Sequence, residues 1–216
     1  MVGFGDAGTE MLCTAIYLRL LDKDRNQIDY AFICAKSYTV PYRQSRTIPD
    51  LEVDVACKLS ILMNKIEASH NIKFNERLHF TDNNAVKEWI LNGARNPKIY
   101  VYNRLEKIKK YSKPEEWRWT PTHLQPADFG TKMSSMPTIS FSNDWFHPNL
   151  FSLPEANWPI IDANISYHIY NTNNSEEVSS EDSFILKFSN YQRLINAVFK
   201  CMEWKYRVEI IKILSK

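Results

Sequence analysis

Nothing in this sequence pairs its cysteines. The four of them, Cys13, Cys34, Cys57 and Cys201, are widely separated and form no C-x-x-C unit. That leaves no zinc module and no disulfide framework, and they read as buried thiols in a reducing compartment. Long apolar runs are missing too: no segment reaches the roughly 18 consecutive apolar residues of a membrane span. The opening MVGFGDAGTE has no basic region followed by an apolar stretch, so the expectation is a soluble intracellular protein, cytoplasmic or nuclear. Charge of one sign is also in short supply, the formal net being +2; a balance that small does not by itself predict a nucleic-acid partner. No internal repeat is visible. Sequons at Asn164 and Asn173 fall in an Asn-rich stretch and read as chance matches.

What is present is the raw material of a core: 44% of the 216 residues are hydrophobic and 13% aromatic, a globular composition. Residues 12–20 (LCTAIYLRL) and 28–35 (IDYAFICA) are β-branched and aromatic runs around a polar LDKDRNQ, which predicts two antiparallel strands. A short strand, Val2 to Gly5, precedes them and ends at Asp6. From Pro49 to about Lys65, Leu51, Val53, Ala56, Leu59, Leu62 and Met63 recur at helical spacing, with Pro49 in a first turn that tolerates it.

RLHFTD, Arg77 to Asp82, reads as a fourth strand. NNAVKEWILNG follows as a helix with Val86, Trp89 and Ile90 on one face and Gly93 as its stop. After Pro97, IYVYNRLEKIKKYSK combines a β-like opening with a basic helical tail. Trp117 to Thr120 reads as a last strand, and a short helix starts at Pro126. The order predicts an α/β fold, a mixed five-stranded sheet flanked by helices, within about 130 residues. Residues 1–132 would form this domain.

Residues 133–188 change character. Pro137, Pro148, Pro154 and Pro159 interrupt them, and NTNNSEEVSSEDS is a polar acidic tract without periodicity. Trp145, Phe146, Phe151 and Trp158 are too apolar to stand in solvent, which predicts that this part of the linker packs back on the domain. Residues 189–216 return to helical spacing, with Ser189 and Gln192 as a capping box and Tyr191, Leu194, Ile195, Val198 and Met202 on one face. An exposed apolar face on that C-terminal helix would offer a site for a protein partner.

Four carboxylates stand at element ends: Asp6 after the first strand, Glu52 in the first turn of the long helix, Asp82 after the fourth strand and Asp128 at the opening of the last helix. Each alone is more often a helix cap or a solvated charge. Together they mean something else if the first and fourth strands are adjacent and parallel, because their carboxyl ends then lie side by side. Like charges at about 4 Å cost roughly 1 kcal/mol in water and several times more beside protein, a penalty that divalent cations remove. An open site of hard oxygen donors suits Mg²⁺, with Mn²⁺ as the alternative. Two such ions would serve in-line phosphodiester hydrolysis.

Arg104, Lys107, Lys109, Lys110 and Lys113 concentrate positive charge where a phosphate backbone could run, with a solvated helix face as the competing reading. Asn83 and Asn84 are candidates for contact with a 2′-hydroxyl.

At these positions the sequence resembles the ribonuclease H region of the polyprotein of BEL/Pao-type LTR retrotransposons. FGDAG at 4–8 is similar to the family's F-x-D-A-S, AKSYTVP at 35–41 to A-K-S-R-V-A-P, and IPDLEV at 48–53 to I-P-R-L-E-L. FTDNNAVKEWI at 80–90 resembles the W-T-D-S segment, YVYNRLEKI at 100–108 resembles F-V-A-N-R-V-x-x-I, and WRWTPTHLQPADFGTK at 117–132 resembles W-R-H-V-P-T-x-x-N-P-A-D-x-x-S-R. Beyond the module, DWFHPNLFSLPEANWP and FSNYQRLINAVFKCMEW resemble the segments leading to the family's integrase zinc module. The resemblance implies a ribonuclease H-like fold, Asp6, Glu52, Asp82 and Asp128 as catalytic and metal-binding acids, two Mg²⁺ ions, and cleavage of the RNA strand of an RNA:DNA hybrid. It also implies a loop histidine as auxiliary, for which His123 is the nearby residue; Trp119 stands where the family often has His.

Two function classes remain in play: a metal-dependent nuclease, and a binding or interaction remnant of a retroelement that holds hybrid without cutting it. A transposase or integrase on the same superfold is disfavoured, since those lack an acid in the first long helix, where Glu52 stands.

Overall fold

The computed structural model describes residues 1–23, 27–41, 46–70, 74–132 and 145–158. Five strands, β1 (Val2–Ala7), β2 (Met11–Leu21), β3 (Gln27–Thr39), β4 (Leu78–Thr81) and β5 (Trp117–Trp119), form one sheet in the order β3-β2-β1-β4-β5. β1, β2 and β3 are antiparallel neighbours, whereas β4 pairs parallel with β1 and β5 parallel with β4. The mixed sheet expected from the sequence is therefore present, with β1 buried along its whole length at the centre.

Three helices lie on one face: α1 (Ile48–His70), α2 (Asn84–Asn92) and α3 (Ile99–Tyr111). The alternation in VGFGDA explains how α1 comes so close to the central strand. Side chains alternate across a strand, so Val2 and Phe4 share one face while Gly3 and Gly5 share the other. A Cβ on Gly3 would lie 2.4 Å from Met63 Sδ and 2.8 Å from Leu59 Cδ1. Glycine here makes room for the helix. Leu59 and Met63 then join Val53, Ala56, Leu62 and Ile66 in the main core with Val86, Trp89 and Ile90 of α2 and Val101, Leu105 and Ile108 of α3.

The Asn83 carboxamide oxygen accepts from Val86 N–H at 3.2 Å and caps α2, and Gly93, at φ 80°, ends it as expected. The β-like opening expected after Pro97 is instead the first turn of α3. Spacing overrides composition there: Val101, Leu105 and Ile108 recur at i, i+4 and i+7 and bury one stripe, leaving Ile99 and Tyr102 exposed. The short helix expected from Pro126 is a 3₁₀ turn, Pro126–Gly130. Gly130 in it sits against β2, where a Cβ would fall 2.2 Å from Cys13 Sγ.

The other face of the sheet is covered by residues 145–158. Leu150, Phe151 and Trp158 pack with Val2, Phe4, Cys13, Ala15, Tyr17, Leu78 and Phe80. Phe4 stacks on Phe80 with ring centroids 5.1 Å apart, and Tyr17 meets Phe151 edge-on at 5.4 Å. Polar pins hold the strap: Tyr17 Oη donates to the Trp145 carbonyl at 2.7 Å and Gln27 Nε2 to the Phe151 carbonyl at 3.1 Å. Arg19 pairs with Glu155 at 3.0 Å while its guanidinium lies 4.1 Å over the Trp158 ring. The aromatic part of the linker thus packs back on the domain. Residues 133–144, the acidic tract and the C-terminal helix expected over 189–216 lie outside the described residues. Cys13, Cys34 and Cys57 are free and buried, and among the described residues no helix is long and apolar enough to cross a membrane.

Candidate metal centre

The parallel pairing of β1 with β4 brings the ends of both strands to one edge. Asp6, near the end of β1, and Asp82, just past β4, meet there. Glu52 joins them from α1, in its second turn because the helix begins at Ile48 rather than at Pro49. The three residues offer carboxylate oxygens that lie within 4.8 Å of one another. Glu52 is 4% exposed and Asp6 6%.

Burial dominates the electrostatics. It pushes the Glu52 carboxyl up to about 9, reinforced by the charges of Asp82 and Asp6 and opposed by a hydrogen bond from the Ala7 backbone. Asp6 rises to about 6 for the same reason, held back by Thr131 and raised further by Asp82 and Asp128. Asp82 is raised by burial and lowered by Thr122. The Glu52 Oε2 atom is buried and has no hydrogen-bond partner. A buried carboxylate oxygen without a donor costs on the order of 1–3 kcal/mol, and the carboxylate it belongs to converges with two other acids. That donor set fits a hard divalent cation.

Asp128 is not in the group of three. The 3₁₀ turn places it alongside, near enough for its charge to raise Asp6 and Asp82, and its carboxylate is paired with Lys132. The expected cluster of four is thus three acids plus an adjacent, paired fourth. His123 is exposed in the 3₁₀ turn Thr122–Leu124, and no hydrogen bond ties it to the acids.

Several residues besides the four acids hold them in place. Thr131 Oγ1 donates to Asp6 Oδ2 at 2.5 Å, and Thr122 Oγ1 to Asp82 Oδ2 at 3.0 Å. Trp119 Nε1 donates to the Asp82 carbonyl at 2.9 Å, so the indole that stands in the histidine position steadies the strand end. Gln125 Nε2 donates to the Gly5 carbonyl at 3.0 Å and ties the 3₁₀ turns to β1. The available signal was a hydroxyl three residues after Asp128 and another two residues after Thr120.

The candidate nucleic-acid contacts divide. Asn83 is used as the α2 cap, next to Asn84. Arg104 donates to Asp54 at 3.0 Å and lies 3.4 Å over the Tyr100 ring, so its charge is already engaged. Lys107, Lys109 and Lys110 are exposed on α3, with Lys109 paired to Glu106 at 2.9 Å.

No curated protein and no solved structure matches the chain. A family match does cover residues 1–83, a span that contains Asp6, Glu52 and Asp82 and four of the five strands but stops short of Asp128. Those residues are similar to the family described as Pao retrotransposon-like RNaseH-like domain, which supports reading this part of the chain as the ribonuclease H region of a Pao/BEL retrotransposon.

Proposed function

We propose that this protein is a metal-dependent endonuclease that hydrolyses the RNA strand of RNA:DNA hybrids inside the cell. The observation that carries this reading is the convergence of Asp6, Glu52 and Asp82 within 4.8 Å, with one Glu52 oxygen buried and unpartnered. These three would hold Mg²⁺, or Mn²⁺ in its place, with Asp128 as the ligand beside them. When bound, divalent cations of this kind activate a water and stabilise the leaving oxygen of an in-line phosphoryl displacement.

The chain's own residues supply placement. Thr131 and Thr122 fix one oxygen each of Asp6 and Asp82, leaving the other oxygens for coordination. Lys107, Lys109 and Lys110 would give sequence-independent attraction to phosphates, and Asn83 and Asn84, at the start of α2 one residue past Asp82, would lie against the strand being cut. His123, exposed two residues before Gln125, would be the residue to assist proton transfer or product release.

The test is cleavage of an end-labelled RNA:DNA hybrid in Mg²⁺ by the protein and by Asp82→Asn. Cleavage by the first, falling by at least about a hundredfold in the second, is expected. Hybrid binding without cleavage in either would instead assign a retroelement remnant that holds nucleic acid and no longer cuts it.

A further inference from the structure

The fourth acid differs from the other three in one respect: it already has a cation. Lys132 Nζ contacts Asp128 Oδ2, four residues back, with the lysine side chain 57% exposed and the aspartate 23%. An exposed i,i+4 pair is ordinarily worth little. This one is set apart by where its carboxylate is held. Asp128 sits in a 3₁₀ turn pinned on both sides, by Gly130 packed against Cys13 and by Gln125 donating to the Gly5 carbonyl. Thr131, between the two partners in sequence, spans the gap: its hydroxyl donates to Asp6 and lies 3.0 Å from the Asp128 carbonyl. Asp128 is therefore presented rigidly beside Asp6, while the ammonium that covers it rides on a long exposed stem and can leave.

We propose that Lys132 is a built-in counter-cation for Asp128, so that the three-acid cluster takes one divalent ion tightly while a second ion engages Asp128 only in competition with the lysine ammonium. The inference rests on the reading of the cluster as a metal centre. Lys132 is a positioning residue here, acting through Asp128, and its effect belongs to the affinity of the second ion alone.

The experiment is a Mn²⁺ titration of the full chain, with free ion followed by electron paramagnetic resonance and heat by calorimetry, for the unaltered protein, Lys132→Gln, Lys132→Arg and Glu52→Gln. One tight and one weak class are expected in the unaltered protein. Lys132→Gln should tighten the weak class by about two- to fivefold, the range open to an exposed ion pair, and the difference should shrink as KCl is added. Lys132→Arg keeps the charge and should match the unaltered protein. A weak class unmoved by Lys132→Gln, or an Arg variant that behaves like the Gln variant, overturns the proposal while leaving the tight site intact. No Mn²⁺ binding that Glu52→Gln abolishes would overturn the metal-centre reading, and this proposal with it.

Discussion

Glu52 is the residue on which the most chemistry converges, and its protonation gives a test that needs no substrate. Its carboxyl is pushed up to about 9 and that of Asp6 to about 6, from ordinary values near 4. Between those limits these two carboxyls bind more protons in the folded, metal-free chain than in the unfolded one, so their contribution to stability falls as pH rises, against buried His79 and the Met1 amino group, whose lowered values act in the opposite direction. The loss starts near pH 4, is steepest while both groups contribute, and continues to about pH 9 through Glu52 alone. In chelator, Glu52→Gln should therefore gain in melting temperature relative to the unaltered protein as the pH rises from 6 to 8.5. A Glu52→Gln curve parallel to the unaltered one would show that the buried acid is already ionised. Bound Mg²⁺ favours the charged forms, so its stabilising increment should be larger at pH 8 than at pH 6, read by the same melts. Asp6, Glu52 and Asp82 were legible in the sequence because each sits at a strand end or helix start whose neighbours could be ordered by topology. Thr122, Thr131 and Lys132 were not, since a hydroxyl or ammonium finds its partner through the course of a 3₁₀ turn that no periodicity announces.

At the scale of elements, close approach rather than propensity decides the architecture. Gly130 meets Cys13 with no room for a methyl group. Gly130→Ala should accordingly cost about 1–3 kcal/mol in urea unfolding, the usual penalty of overpacking, and loosen the turn that carries Asp128. A midpoint unchanged within error would mean that the turn can back away freely. α3 shows the opposite lesson. Its IYVY opening looks like a strand by composition, yet the buried stripe of Val101, Leu105 and Ile108 settles it as a helix, because packing of an apolar face outweighs the small propensity differences of β-branched residues. On its outer face, Lys109→Ala with Lys110→Ala should weaken hybrid binding and reduce the slope of log affinity against log salt by up to about two, one unit per lost phosphate contact. An unaltered slope would assign these lysines to the solvated surface, where Lys109 already has Glu106 as a partner.

For the molecule as a whole, the sheet needs both of its covers. Helices α1, α2 and α3 close one side, and the strap of residues 145–158 closes the other with Leu150, Phe151 and Trp158. Truncating Phe151 to Ala should cost about 3–5 kcal/mol by removing a buried ring from contact with Phe4, Tyr17 and Tyr30. Glu155→Gln, which breaks an ion pair with Arg19 at the rim, should cost about 1 kcal/mol or less. Comparable losses in the two urea midpoints would mean that the strap is held by its charges instead of its rings. The aromatic clustering made the packing of this segment readable from sequence, but the side of the sheet it covers follows only from the alternation of β1. That strand presents Val2, Phe4 and Asp6 to one side and glycine to the other. Inserting or deleting a single residue within it would exchange the two sets, driving the Phe4 ring into the helix and swinging the acid away from its companions. Exchanges of one side chain for another at Val2 or Phe4 are mild by comparison. Over evolutionary time β1 should keep its length along with Gly3 and Asp6, and a lineage that changes that length has given up the cluster of acids.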